Sequence, residues 1–305
     1  VDAIHPGYGF LAENIAFAKA VRGHGMTFIG PDPEHLGTFG DKLSAKAAAK
    51  DAGVPLIPGS QGSIADVEEA VKIAQEIGYP IMLKAAFGGG GKGMRVVEDS
   101  DNLRRVFDLT SVEALASFGN GAVFLERFLP TPRHIEVQVA GDAFGNVLHF
   151  GDRDCSMQRR HQKIIEEAPA FGLSPELALA IRTAAAQLVA HTGYQTVGTV
   201  EFLVQDDEFF FLEVNPRIQV EHPVTEMVTG VDLVQLQIRL AAGEKMPMTQ
   251  EEGKIEGHSI EVRINAEDPW TFLPSPGTIT GYHAPGGPGI RVDSASSLVG
   301  IKNCS

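Results

Sequence analysis

The sequence predicts a chain of mixed class, α/β at its start and α+β after it, and three observations carry that reading. Short apolar runs alternate with helical patterns over residues 1–53. A compact helix–strand–strand–helix–strand unit follows over about 67–126. From residue 130 onward strands dominate, and one long helix interrupts them. At roughly 150 residues per domain, 305 residues make about two domains, with a core that needs no covalent staples.

Each element has its own signal. Val1-Asp2-Ala3-Ile4 reads as a strand of a parallel sheet, followed by the loop His5-Pro6-Gly7-Tyr8-Gly9-Phe10. Leu11, Ile15, Ala18 and Val21 share a helical face, and Thr27-Phe28-Ile29 is a short strand closed by Gly30-Pro31. Residues 32–53 read as one helix ending at Gly53. Val67, Val71, Ala74 and Ile77 line one helical face, and Gly78 stands where a C-terminal cap belongs. Ile81–Lys84 and Met94–Val97 are strands on either side of a glycine-rich loop, followed by a helix over 100–117 and a strand over 122–126.

In the second half, strands are expected at 134–140 and 146–150. Ser174 caps a helix whose first position is Pro175 and whose stripe is Leu177, Ile181, Ala184 and Leu188. Gly193 ends it. A hairpin pairs 199–204 with 209–215, residues 231–243 are helical, and strands are expected at 258–264 and 277–282.

Composition limits the partners. Net charge is −14, from 25 basic and 39 acidic side chains, so nucleic acid is not the expected ligand and positive charge must be gathered locally to hold an anion. No stretch approaches the roughly 20 apolar residues of a membrane helix. Two cysteines, Cys155 and Cys304, make no disulfide framework and favour a reducing compartment. No secretory signal is visible.

Five stretches carry chemistry. Phe87-Gly88-Gly89-Gly90-Gly91-Lys92-Gly93-Met94 can bring several backbone N–H groups onto phosphate oxygens. It is not a dinucleotide loop, because a strand follows where a helix should open, nor a Walker A loop, because Met94 stands where lysine should. It reads as a flap over phosphates flanked by Lys84 and Lys92, or else as a plain hairpin tip. Residues 153–163 gather Arg153, Arg159, Arg160, His161 and Lys163, either as an anion site or as a solvated basic face. Glu201 and Glu213 stand in apolar strands with Asn215 beside them. They either hold Mg²⁺ or Mn²⁺ or point to solvent on an alternating strand. To share a metal they must face one side, which an odd-numbered loop such as Asp206-Asp207-Glu208 provides and a two-residue loop does not.

The fourth stretch runs from Asn215 to Glu226. Arg217 can fork onto a small planar anion and Glu221 can act as a base, or the segment is a polar loop of surface ion pairs. The fifth is Gly257–Pro269, where Arg263 alternates into a strand face and can equally pair with Glu261.

Four motifs together resemble the biotin carboxylase family of the ATP-grasp superfamily. They are Gly-Gly-Gly-Gly-Lys-Gly-Met-Arg-Val-Val, Arg-Asp-Cys-Ser-Met-Gln-Arg-Arg-His-Gln-Lys, Arg-Ile-Gln-Val-Glu-His-Pro-Val-Thr-Glu and Arg-Ile-Asn-Ala-Glu-Asp-Pro. The likeness runs from about residue 1 to 299. It implies an ATP-grasp fold over 41–250 with a mobile glycine-rich lid over 57–128. Residues 1–40 would be the remnant of a Rossmann-like N-terminal domain, and 255–305 the start of a C-terminal biotin carboxylase domain. The chain is expected to be a fragment that is weakly active alone.

The resemblance also implies a reaction: ATP activates bicarbonate as carboxyphosphate, and the carboxyl group passes to biotin on a carrier. ATP would be held by Lys42, Lys84, Gly88, Gly89, Gly90, Gly91, Gly93, Met94, Glu126, Arg127, Leu129, His134, Gln158, His161 and Leu203, with Arg127 where lysine is common. Bicarbonate would sit on Lys163, Arg217, Gln219, Val220 and Glu221, and Arg263 would steady the biotin enolate. Glu201, Glu213 and Asn215 would ligate two Mg²⁺ or Mn²⁺ ions. The implied partners are a biotin carboxyl carrier and a carboxyltransferase, with homodimerisation of the full-length form, no nucleic acid and no membrane. The implied location is the cytoplasm, with an organellar leader left open. Another ATP-grasp ligase of carbamoyl-phosphate type and a non-catalytic nucleotide-binding module are the competing readings. The Arg-Ile-Gln-Val-Glu-His segment argues against the former.

Overall fold

A computed structural model describes residues 1–60, 62–86, 93–160 and 162–294, the side chain of Phe118 aside. It divides into two units, Val1–Glu261 and Val262–Ser305.

The first unit opens with β1 (Ala3–Ile4) and β2 (Thr27–Phe28), paired in parallel, with α1 (Ile15–Gly23) between them. Ala18 and Val21 of α1 pack with Phe28 and Leu36 in a small core. The helix expected over 32–53 is two helices, α2 (Pro33–Gly40) and α3 (Lys42–Asp51). Asp41 is the break: its backbone is extended, and its carboxylate accepts from Ser44 N at 2.9 Å, so it caps α3 instead of continuing α2. This break puts Lys42 at the first position of α3.

Next comes a layer with its own core: α4 (Val67–Ile77), β3 (Ile81–Ala85), β4 (Met94–Val97), α5 (Ser100–Phe118) and β5 (Val123–Arg127). The strands form an antiparallel sheet in the order β4-β3-β5. Asp66 and Asp99 cap the two helices, Gly119 ends α5 in the left-handed conformation, and Ile81, Leu83, Val97, Leu103 and Leu125 fill the space between helices and sheet.

The main sheet has six strands in the order β10-β9-β6-β7-β8-β11: β6 (Arg133–Gly141), β7 (Val147–Arg159), β8 (Gln162–Ala168), β9 (Thr196–Gln205), β10 (Glu208–Asn215) and β11 (Ser259–Val262). Strand alternation sorts its side chains. Ile135, Val137 and Val139 of β6, with Val200, Phe202 and Val204 of β9, pack on one face against Ile181, Ala184, Ala185 and Leu188 of α6 (Pro175–Thr192). Their neighbours in sequence, His134, Glu136 and Gln138 on β6 and Thr199 and Glu201 on β9, fall on the opposite face. Beside that face lie α7 (His222–Thr229) and α8 (Leu233–Ala241). The apolar packing there forms two separate clusters, one where Ala140, Phe150, Val197, Leu233 and Leu236 meet and a smaller one of Ala168 with Val224 and Val228 of α7.

Three further expectations change. The basic stretch around 153–163 is the β7–β8 hairpin, and strand β8 was not expected. The polar segment after Asn215 contains α7, which starts at His222 with Pro223 in its first turn. Among the described residues, no strand runs over the expected 277–282: Thr278 makes a single bridge, Glu267↔Pro274 is an isolated one, and none of residues 262–294 is buried, so no apolar packing enforces a longer ladder there. Among the described residues, no helix is long and apolar enough to cross a membrane.

Candidate functional site

One row of the main sheet carries four charged residues that are Cα partners in succession: Glu213 on β10, Glu201 on β9, Glu136 on β6 and Arg153 on β7. Their side chains therefore share one face. The β9–β10 turn alone would not deliver this. It is a two-residue turn, with Gln205 opposite Glu208 and both Asp206 (φ 52°) and Asp207 (φ 62°) left-handed, not the three-residue loop that the sequence suggested. An irregularity between Phe211 and Glu213 then shifts the ladder by one residue and brings Glu213 opposite Glu201. The shared face is reached by a bulge, not by loop length.

Lys163, from β8, neutralises the row. Its ammonium donates to Glu201 Oε1 at 2.8 Å, to Glu221 Oε1 at 2.7 Å and to Glu136 Oε2. Glu201 Oε1 also accepts from Asn215 Nδ2 at 2.8 Å and Gln219 Nε2 at 3.0 Å, and its Oε2 lies 2.6 Å from His134 Nε2. Burial opposes the charge on both Glu136 and Glu201. Lys163 with Arg153 for Glu136, and Lys163 with His134 for Glu201, nonetheless hold these carboxyls below the ordinary carboxylate range. Burial opposes the Lys163 charge as well, and Glu136, Glu201 and Glu221 together keep it protonated well above the usual lysine range. Glu213 behaves oppositely: burial and the nearby Glu201 charge push its carboxyl up, against the pull of Lys42.

At the other end lie the lysines. Glu126 of β5, almost fully buried, accepts from Lys84 Nζ at 2.5 Å and from Lys46 Nζ. Burial works against its charge, but Lys84 and Lys46 hold its carboxyl low. Burial lowers Lys42 and Lys46, with Lys84 adding to both. Lys46 was missed by sequence reasoning, although it follows Lys42 by four residues on α3, the spacing that aligns side chains on one helix face. A cleft lined by Glu13, Lys42, Glu213, Asn215 and Pro216 joins the lysine end to the carboxylate row.

The remaining expected residues fall around these two groups. Arg217 donates from Nη2 to Asn215 Oδ1 at 2.9 Å, from Nη1 to the Ile218 carbonyl at 3.3 Å and from Nε to Glu13 Oε1 at 2.7 Å. Glu13, in the N-terminal segment, carried no sequence signal. Gln158 Nε2 lies 3.1 Å from His134 Nδ1. Leu129 and Leu203 meet in an apolar cluster with Ile57 and Phe210, and the Arg127 guanidinium lies 5.1 Å from the Phe210 ring centre. Gly93 (φ 72°) immediately precedes β4, whose first residue, Met94, lies opposite Lys84. Val220 lies just ahead of α7, and Arg263 is the second residue of the C-terminal unit. Gly88, Gly89, Gly90, Gly91 and His161 lie outside the described residues.

Glu136 and Arg153 were also missed as site residues. Both had a signal: Glu136 is the middle member of His134, Glu136 and Gln138, polar at every second position of an apolar strand, and Arg153 opened the basic stretch.

A divalent cation fits the Glu213 end of the row. The donors there are hard carboxylate and amide oxygens, and Lys163 contacts Glu136, Glu201 and Glu221 but not Glu213, whose carboxyl is held up by burial and the Glu201 charge despite the more distant Lys42, His134 and Lys163.

Comparison with known proteins shows the family and the fold. Residues 41–249 match the family model described as carbamoyl-phosphate synthase L chain, ATP binding domain. Residues 1–36 and 261–298 match the biotin carboxylase N-terminal and C-terminal domains, which separates the chain from carbamoyl-phosphate enzymes. Biotin carboxylase of Pseudomonas aeruginosa is 56% identical over 293 residues, covering 96% of this chain and 65% of that protein. The chain thus spans about two-thirds of the length of such relatives. Among solved structures, a biotin carboxylase–beta-gamma-ATP complex from Campylobacter jejuni superposes with a TM-score of 0.94 at 50% identity, over 99% of this chain and 68% of that one. The biotin carboxylase domain dimer of Hydrogenobacter thermophilus 2-oxoglutarate carboxylase, with MgADP, ADP and bicarbonate, gives 0.92 at 50% identity, over 100% and 67%.

Proposed function

The chain belongs to the biotin carboxylase family and has the ATP-grasp fold, and from that premise we propose that the protein carrying it is an ATP-dependent ligase that carboxylates biotin with bicarbonate. The observation that carries the proposal is the single ammonium of Lys163 bonded to Glu136, Glu201 and Glu221 beside Arg217. That arrangement suits a small anion meeting a phosphoryl group, and it provides carboxylates to take a proton.

Lys42, Lys84 and the glycine loop around Gly93 would bind the ATP phosphates, with Leu129 and Leu203 offering an apolar slot for the base and Glu126, Arg127, His134 and Gln158 polar contacts around it. Glu201, Glu213 and Asn215 would hold one or two Mg²⁺ or Mn²⁺ ions, which when bound neutralise phosphate charge. Arg217 and Gln219 orient bicarbonate, with the Val220 backbone beside them. Lys163 stays protonated, so it is an electrostatic group and not the base. Glu221, held by Lys163 at 2.7 Å, takes the bicarbonate proton as an oxygen of bicarbonate attacks the γ-phosphorus and ADP leaves. The carboxyl group of the resulting carboxyphosphate then passes to the ureido nitrogen of biotin, inorganic phosphate leaving and taking up the ureido N–H proton. Arg263 steadies the enolate charge, a task for a cation that never loses its proton.

The reading extends to partners and organisation. Biotin arrives on a carrier protein or domain, the product is consumed by a carboxyltransferase, and the full-length protein is a homodimer in the cytoplasm. Residues 57–128 act as a lid over the nucleotide, between an N-terminal domain ending near 40 and a C-terminal one starting near 255. The low cysteine content supports the cytoplasmic location, and the separate core of the α4–β5 layer supports the lid. The test is ATP hydrolysis by the full-length protein with and without bicarbonate and free biotin. Hydrolysis that depends on bicarbonate and rises with biotin is expected. Hydrolysis indifferent to both would overturn the proposal.

A further inference from the structure

Beneath the candidate site lies a side chain that neither the expected ligands nor the mechanism uses. Arg153 is fully buried, at 0% exposure, and its guanidinium reaches five side chains on four segments. Nε donates to Glu136 Oε1 at 2.5 Å. Nη1 donates to Gln138 Oε1 at 2.7 Å and Thr225 Oγ1 at 2.9 Å. Nη2 donates to Gln219 Oε1 at 3.0 Å and Thr199 Oγ1 at 3.2 Å.

We propose that Arg153 is a positioning residue for the bicarbonate end of the site, setting the orientation of the Gln219 amide and the place of the Glu136 carboxylate; the inference rests on the function proposed above. The argument is one of donors and acceptors. A guanidinium has only donors, so the atom that Gln219 turns toward Arg153 must be its oxygen. The amide nitrogen is then forced to the other side, where it donates to Glu201 Oε1 at 3.0 Å. A flipped amide would set its oxygen against that carboxylate. The same logic orients Gln138, whose oxygen accepts from Arg153 and whose nitrogen donates to the Gly198 carbonyl at 2.7 Å. On the other branch, Arg153 takes Glu136 Oε1 and leaves Oε2 for Lys163, which also holds Glu201 and Glu221. One rigid planar fork thus fixes both the amide and the ammonium that surround the anion. A lysine, a single point of charge, cannot span the same five acceptors.

A residue needed only for folding would disturb both substrates alike. A positioning residue beneath one of them would not. In the full-length protein, Arg153→Lys should raise the bicarbonate KM on the order of tenfold while leaving the ATP KM within about twofold. Thr225→Val, which removes one anchor of the guanidinium at nearly constant volume, should shift the bicarbonate KM in the same direction by less. On a Gln219→Ala background, where there is no amide left to orient, either substitution should cost much less than it does alone. Equal changes in the two KM values, or losses that multiply fully in the double variants, would overturn the inference. If Arg153→Lys does not fold, Thr225→Val and its double variant carry the same comparison. A wild-type protein whose ATP hydrolysis ignores bicarbonate would overturn the functional reading first, and is read separately from the variants.

Discussion

Glu213 lies directly opposite Glu201 across the β9–β10 ladder, and it does so only because the strand bulges between Phe211 and Glu213. The two-residue turn at Asp206-Asp207 sets a register that would send the two carboxylates to opposite faces. The bulge returns Glu213 to the face that Glu201 already shares with Glu136 and Arg153 of the next two strands.

Removing the negative charge of Glu213 should therefore separate stability from function. Burial and Glu201 raise its carboxyl, so the ionised form is disfavoured in the fold, and stability falls as pH rises past the ordinary value toward the raised one. Glu213→Gln should melt no lower than wild type at neutral pH without metal. It should lose most of the increase in Tm that Mg-ATP gives the wild type, and turnover should fall by on the order of a hundredfold or more. Thermal melts with and without Mg-ATP, beside a turnover assay, check this. An unchanged Mg-ATP stabilisation would contradict the metal assignment.

The turn offers a control that leaves the site alone. Asp207 holds a left-handed conformation that glycine adopts without strain. Asp207→Gly should leave turnover unchanged and shift stability by no more than about 1 kcal/mol, in the stabilising direction. A large loss of activity in this variant would mean that the turn, and not the bulge, sets the position of Glu213.

Lys163 ties three carboxylates together, so its loss should be costly. Lys163→Met leaves Glu136, Glu201 and Glu221 facing one another and should cost on the order of 3–5 kcal/mol. The sign with pH follows from the directions of shift. Glu136 and Glu201 are held below their ordinary 4.5, so their contribution is present above that value and is lost as pH falls through the depressed ones. Lys163 is held above its ordinary 10.5, so its contribution is present below that value and is lost as pH rises through the raised one. The wild-type advantage over Lys163→Met should thus be greatest between about pH 5 and pH 10 and shrink outside it. Melting curves for both proteins across that range measure it, and an advantage independent of pH would contradict the charge cluster.

On the proposed reading Arg217 serves the bicarbonate and not the base of the nucleotide, so Arg217→Ala should lower kcat by on the order of a hundredfold with a much smaller change in ATP KM. Kinetics with ATP varied at saturating bicarbonate, and with bicarbonate varied at saturating ATP, decide it. Weaker ATP binding at unchanged turnover would contradict the role.

Much of this architecture was legible in the sequence, and what was not has local causes. Helices with clear punctuation, such as α6 between Ser174 and Gly193 or α4 between Asp66 and Gly78, were readable because cap chemistry is local. The break at Asp41 was hidden inside a continuous helical pattern, and only the carboxylate's turn back to Ser44 reveals it. The Phe211–Glu213 bulge was illegible because Phe-Phe-Phe-Leu offers no alternation from which to read register. At the site, Glu201, Glu213, Arg217 and Glu221 stood out as charge in apolar or motif-rich segments. Glu136, Lys46 and Glu13 matter through partners 65, 80 and 204 residues away, which no sequence window contains.

The central claim is that this carboxylate and lysine row serves transfer of a carboxyl group to biotin. The most direct measurement is incorporation of label from [¹⁴C]bicarbonate into biotin, or a biotinylated carrier, by the full-length protein with Mg-ATP, in wild type and in Glu221→Gln. The account predicts ATP-dependent labelling of biotin by the wild type, with one ADP formed per carboxyl transferred, and loss of labelling on the order of a hundredfold or more in Glu221→Gln. ATP hydrolysis without labelled biotin in the wild type, or undiminished labelling in Glu221→Gln, would contradict it.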